Sequence, residues 1–82
     1  MNKAILLKAD DWEGLYINGE LVDEGHTLNE GTSSIKYFID LSEEYDFNLK
    51  DMKELHLIEE DEELLMDWGN FPTYINRLKG NY

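Results

Sequence analysis

The 82-residue chain contains no cysteine and a single proline, Pro72. Without cysteine there are no disulfides or thiolate metal centres to staple the fold, so apolar packing must hold it. Basic residues are scarce: seven Lys and Arg stand against nineteen Asp and Glu, for a net charge of −12. Phosphate backbones and anionic membranes attract the opposite sign, so direct nucleic-acid and membrane partners are disfavoured and a basic protein partner is allowed. No run approaches the ~20 apolar residues of a membrane span. The apolar stretch at residues 4–7 is too short for the core of a secretory signal, so the expected location is cytoplasmic.

Catalytic and metal signatures are also missing. The chain has no G-x-S-x-G elbow, no P-loop and no G-x-G-x-x-G turn. His26 and His56 are the only histidines, so a zinc site without thiolates would need two carboxylates to join them from distant segments. The run EEDEE, residues 59–63, lacks the alternating oxygen ligands and central glycine of a calcium loop. The expectation is no enzyme, no cofactor and no dedicated metal site.

What is present is a 41% hydrophobic, 12% aromatic composition, enough apolar material for one folded domain over residues 1–82. Residues 3–9 (KAILLKA) read as a strand that ends at Asp10-Asp11. Asn18-Gly19 between apolar runs predicts a two-residue hairpin, because a type I′ turn needs positive φ at both central positions. That register opposes Ile17 to Glu20, Tyr16 to Leu21 and Leu15 to Val22. Leu15, Ile17 and Val22 then share one face with Glu13, Glu20 and Glu24; Trp12, Gly14, Tyr16 and Leu21 share the other. With both faces apolar in the middle, the hairpin is either sandwiched or offers one face for docking.

Residues 25–34 read as a loop leading to a helix, with Thr32, Ser33 and Ser34 as N-cap candidates. Ile35, Phe38, Ile39 and Ser42 form its apolar stripe, widened by Tyr37, Leu41 and Tyr45. Residues 54–59 read as a strand, 60–68 as a helix stopped by Gly69, and 73–79 as a last short helix after Pro72. The order is β-β-β-α-β-α-α: an α+β fold with a small, mostly antiparallel sheet packed by one main helix.

The stretch WEGLYINGELVDEGHTL, residues 12–28, resembles small acidic proteins of phages and prophages of Gram-positive bacteria. Phe47-Asn48, the acidic run and Gly69-Asn70-Phe71-Pro72 extend the likeness over most of the chain. The resemblance carries over no activity and no site residue. It implies an accessory protein acting in the cytoplasm of a bacterial host, and it favours host-directed inhibition.

Two surfaces are the candidate sites. One is the hairpin face of Trp12, Tyr16 and Leu21, since Trp and Tyr are favoured interface anchors. Its edge could also pair with a second copy to give a homodimer. The other is an acidic face of Glu43, Glu44, Glu59, Glu60, Asp61, Glu62, Glu63 and Asp67, which Asp10, Asp11, Asp40 and Asp46 could enlarge. The plain reading of residues 59–63 is a helix start whose acids oppose the macrodipole, with Asp61 a candidate cap. The function expected is a non-catalytic interaction module acting on a host or phage protein. The alternative is a DNA-mimic inhibitor that fills the basic nucleic-acid groove of a host enzyme.

Overall fold

Residues 4–8, AILLK, are apolar on both sides of the pleat, as suits a strand with protein on both its faces. In the computed structural model, which describes residues 2–26 and 31–82 (31–35 as helix backbone alone), they form β1, Ala4–Lys8, a central strand. The sheet order is β3-β2-β1-β4, with β2 at Glu13–Ile17, β3 at Glu20–Gly25 and β4 at Lys53–His56. The two pairings made by β2 are antiparallel and β1 lies parallel to β4, so the sheet is mixed within an α+β fold. Among the described residues no helix is long and apolar enough to cross a membrane.

Alternation along β1 and β2 separates two apolar clusters. Ala4, Leu6, Leu15 and Ile17 face one way with Phe38 and Phe47. Ile5, Leu7 and Tyr16 face the other way with Leu57, Leu65, Phe71 and Leu78. Helix α1, Gly31–Glu44, covers the first face, and helix α2, Glu59–Trp68, covers the second together with the C-terminal segment. The hairpin is therefore sandwiched, and two layers pack the sheet where the sequence suggested one main helix.

Asn18 and Gly19 have φ of 52° and 84°, the signs a type I′ turn demands. The pairs Ile17–Glu20 and Tyr16–Leu21 form as expected, but the next pair is Leu15–Asp23, not Leu15–Val22. Val22 is an extra residue, a β-bulge that shifts the ladder by one. Val22 and Asp23 consequently serve the α1 side, where the Tyr37 hydroxyl donates to Asp23. Glu24 is turned to the opposite side, where it meets Trp12 and Phe71.

Thr32, Ser33 and Ser34 lie inside α1, which begins at Gly31, so they are not its N-caps. The loop expected before the helix includes residues 27–30, which lie outside the described residues. The buried side of α1 centres on Phe38 with Tyr37, Leu41 and Tyr45, while Ile39 is 41% exposed. The Tyr37–Asp23 bond and the edge contact of the Tyr37 and Phe38 rings, 5.1 Å between centroids, turn the stripe away from Ile39.

α2 ends where Gly69, at φ 78°, donates its N–H to the Leu65 carbonyl at 2.8 Å. Beyond it, the helix expected over 73–79 is reduced to a single 3-10 turn, Ile75–Arg77. Its backbone is already engaged: Leu21 N–H donates to Thr73 O and Ile75 N–H donates to Gly19 O, each at 2.8 Å. Phe71 lies against Gly14, where an added Cβ would stand 2.8 Å from the ring. This segment therefore needs glycine at position 14 in order to seat on β2.

Candidate functional site

The acidic run is not one surface. Glu59, Glu60, Glu63 and Asp67 are exposed and Glu62 is half-buried, but Asp61 has no exposed area. Its carboxylate accepts from Lys79 N–H at 2.7 Å, Gly80 N–H at 2.8 Å and the Tyr82 hydroxyl at 2.6 Å. The N-cap position belongs to Ile58, which makes no side-chain cap, so Asp61 is neither the cap nor part of an acidic face. Burial pushes its carboxyl upward, but the bonds from Tyr82, Lys79 and Gly80 outweigh this and hold it below the usual carboxylate range. Burial, and then the bond to Asp61, raises the Tyr82 hydroxyl to about 12. Glu43 and Glu44 are exposed on α1, across the sheet from α2. The structure therefore divides the expected acidic face between two layers.

The hairpin face is likewise interior. Tyr16 is fully buried, donating its hydroxyl to the Pro72 carbonyl at 2.5 Å, with its ring edge-on to Phe71. Leu21 is half-buried against the same cluster. The reason is the sandwich: α2 and residues 71–78 occupy the face that the sequence left open for docking. Burial raises the Tyr16 hydroxyl well above its ordinary range, with the charge of Glu24 adding to the effect.

Trp12 differs, because it is half-buried at the end of the sheet. Its indole Nε1–H donates to Glu24 Oε1 at 2.8 Å, and the same oxygen accepts from Phe71 N–H at 3.0 Å. His26 meets the indole edge-on, 4.6 Å between centroids, and its Nδ1 donates to the Asp11 carbonyl at 2.8 Å. Ala9 N–H donates to Trp12 O at 2.8 Å and closes the turn over Asp10 and Asp11. The indole is thus held by Glu24 and His26 before any partner arrives.

Beside it lies a cleft of about 370 Å³, lined by Ala9, Asp10, Asp11 and Trp12 from the β1–β2 connection and by Glu62, Leu65, Met66 and Gly69 from α2 and its end. Its floor is apolar. Met66, 83% exposed, is an unshielded apolar thioether on an otherwise acidic helix side. Of the residues expected at sites, Trp12 and Glu62 meet here, together with Asp10 and Asp11, which were expected to enlarge the acidic face. Met66 and Leu65 were missed, because the buried stripe of α2 runs through an acid, Asp61, that looked like its acidic neighbours. Asp61 and Leu65 stand four apart on the buried stripe, which leaves Met66 outside it.

A depression of about 220 Å³ on the other side of Trp12 holds His26 and His56 with Lys8 and Glu13. Among the described residues no group of three or more His, Cys, Asp or Glu is placed to hold a metal ion. A third groove, about 330 Å³, runs past Trp68, Pro72 and Tyr74, with the Arg77 guanidinium 5.7 Å from the Trp68 ring centre. The cleft beside Trp12 is the best-built of the three, joining an anchored indole, an apolar floor and ionised rims. Carboxylates and hydrocarbon equip it to hold a cation-bearing apolar group. No protein-family model, curated protein or solved structure matches the chain.

Proposed function

We propose that this chain is a non-catalytic interaction module that docks on another protein through the cleft between the β1–β2 connection and α2. The observation that carries the reading is Met66, 83% exposed beside the anchored indole of Trp12 in a cleft of about 370 Å³. A large aromatic side chain already fixed in place costs little entropy on binding, which is why such residues serve as anchors. The alternative of nucleic-acid mimicry asks for a continuous acidic face, and the division of the carboxylates between α1 and α2 favours the cleft instead. The resemblance of residues 12–28 to phage proteins supports a host or phage protein in a bacterial cytoplasm as the partner.

A photo-crosslinking side chain placed at position 66, and separately at the exposed position 40 of α1, tests this in living cells. A protein adduct from position 66 and none from position 40 is the expected result. Adducts from position 40 alone would move the docking surface to the opposite layer and end the proposal.

A further inference from the structure

The cleft has a charge pattern as well as a shape, and from it we infer the partner's chemistry: a basic amphipathic segment of another protein. In it an apolar anchor side chain enters against Trp12, Leu65 and Met66, and Lys or Arg side chains flank it. This inference rests on the docking reading above. Its physical basis is that acids from two separate elements border one apolar floor: Asp10 and Asp11 from the β1–β2 connection, Glu62 from α2. No base opposes them among the lining residues, and α2, EEDEELLMDW, carries none along its length. Lys79 lies 4.0 Å from Glu60, outside the cleft. An apolar group entering the cleft therefore passes between unneutralised carboxylates, and a cation on each side of it lowers the energy of entry.

Other occupants fit less well. A second copy brings its own net charge of −12 against this one, so self-association through the cleft is repelled. Nucleic acid and anionic membrane carry the same sign as the rims. An uncharged apolar ligand would leave the carboxylates without any role in recognition. A basic amphipathic segment uses both features together, with hydrocarbon supplying residence and charge supplying approach and register.

The experiment is an NMR titration of the full chain with short synthetic peptides, read at the Trp12 indole N–H and the Met66 methyl group. The probes are a Lys/Leu amphipathic peptide, a Lys/Ser peptide of equal charge, and a Glu/Leu peptide. Saturable shifts with the Lys/Leu peptide at these two signals are expected, weakening severalfold on moving from low to high salt. Binding of the Lys/Ser peptide should be weaker by roughly tenfold or more, because the anchor is gone. Met66→Lys, read at the Trp12 indole alone, and the triple variant D10N/D11N/E62Q, read at both signals, should each weaken the Lys/Leu peptide severalfold or more. Their unchanged signals elsewhere report that the fold is intact. Equal binding of the Lys/Ser or the Glu/Leu peptide at the same two signals would overturn the inference and leave docking at the cleft standing. Shifts from the Lys/Leu peptide confined to α1, with Trp12 and Met66 silent, would overturn both.

Discussion

Replacing Asp61 by Asn removes one charge from a run of five acids, as does replacing Glu60 by Gln, yet the two changes should differ severalfold in cost. The Asp61 carboxylate is buried and accepts three hydrogen bonds, from Lys79 N–H, Gly80 N–H and the Tyr82 hydroxyl. An Asn offers one carbonyl oxygen and turns an NH2 toward the remaining donors, so at least one buried donor loses its acceptor. An unsatisfied buried donor costs ~1–3 kcal/mol, and the surviving bonds lose their charge assistance. Asp61→Asn should therefore cost about 2–4 kcal/mol, and Asp61→Ala about 3–5. A chain of 82 residues has a total stability of roughly 4–12 kcal/mol, so either change consumes much of it. Glu60 is exposed and 4.0 Å from an exposed Lys79 amine, so Glu60→Gln should stay within about 0.5 kcal/mol. Urea unfolding followed by far-UV circular dichroism near neutral pH measures all three. The pH dependence adds a second check. Because the folded carboxyl of Asp61 titrates below the usual range, its contribution is present above the unfolded value of ~3.9 and is lost as pH falls through the folded value. The gap between parent and Asp61→Asn should accordingly narrow in acid. Equal stabilities for Asp61→Asn and Glu60→Gln, or a gap that does not change with pH, would refute the buried-anchor account.

Gly14→Ala should cost about 1–3 kcal/mol by overpacking, since the new methyl would stand 2.8 Å from the ring of a Phe71 that is only 3% exposed. Adding Phe71→Leu should recover part of that loss, and plain additivity in a double-mutant cycle would count against the contact. Glu24→Ala strips one acceptor from both the Trp12 indole and the Phe71 N–H, and should cost about 2–3 kcal/mol. It should also shift tryptophan emission to the red as the indole loosens; an unchanged spectrum would disconnect Glu24 from the cleft. In alkali, Tyr82 contributes stability that is complete below its unfolded value of about 10 and lost as pH rises through about 12. Tyr82→Phe should therefore be less stable than the parent near neutral pH and lose less on going to high pH, as read by unfolding transitions at a series of pH values.

Much of the architecture was legible because local chemistry and burial agreed. Asn18-Gly19 named its own turn, the short Ile- and Leu-rich run of β1 announced a strand, and Gly69 marked the end of α2. The failures share a cause, which is long-range packing that no local pattern encodes. Tyr16 and Leu21 looked available for docking because nothing near them in sequence reports that Phe71 and Leu78 will cover their face. The short final helix gave way to extended pairing because Gly19 and Leu21, at the edge of the hairpin, bond the backbone of residues 73 and 75. Asp61 resembled its four acidic neighbours until the backbone of residues 79 and 80 was placed beside it. At the candidate site, Trp12 was visible as an aromatic of interest, whereas Met66 gained meaning only once the buried stripe of α2 was fixed.

The bulge at Val22 sets where this hairpin tolerates a change in length. The ladder joins Tyr16 to Leu21 and then Leu15 to Asp23, so a chain lacking Val22 retains every cross-strand partner and gives up one side chain on the α1 side. Removing any residue between Gly14 and Ile17 would instead reverse the side chains on one side of the gap and drive buried Leu15 or Tyr16 toward the wrong layer. Natural deletions in this hairpin should therefore collect at Val22 and spare its opposite strand.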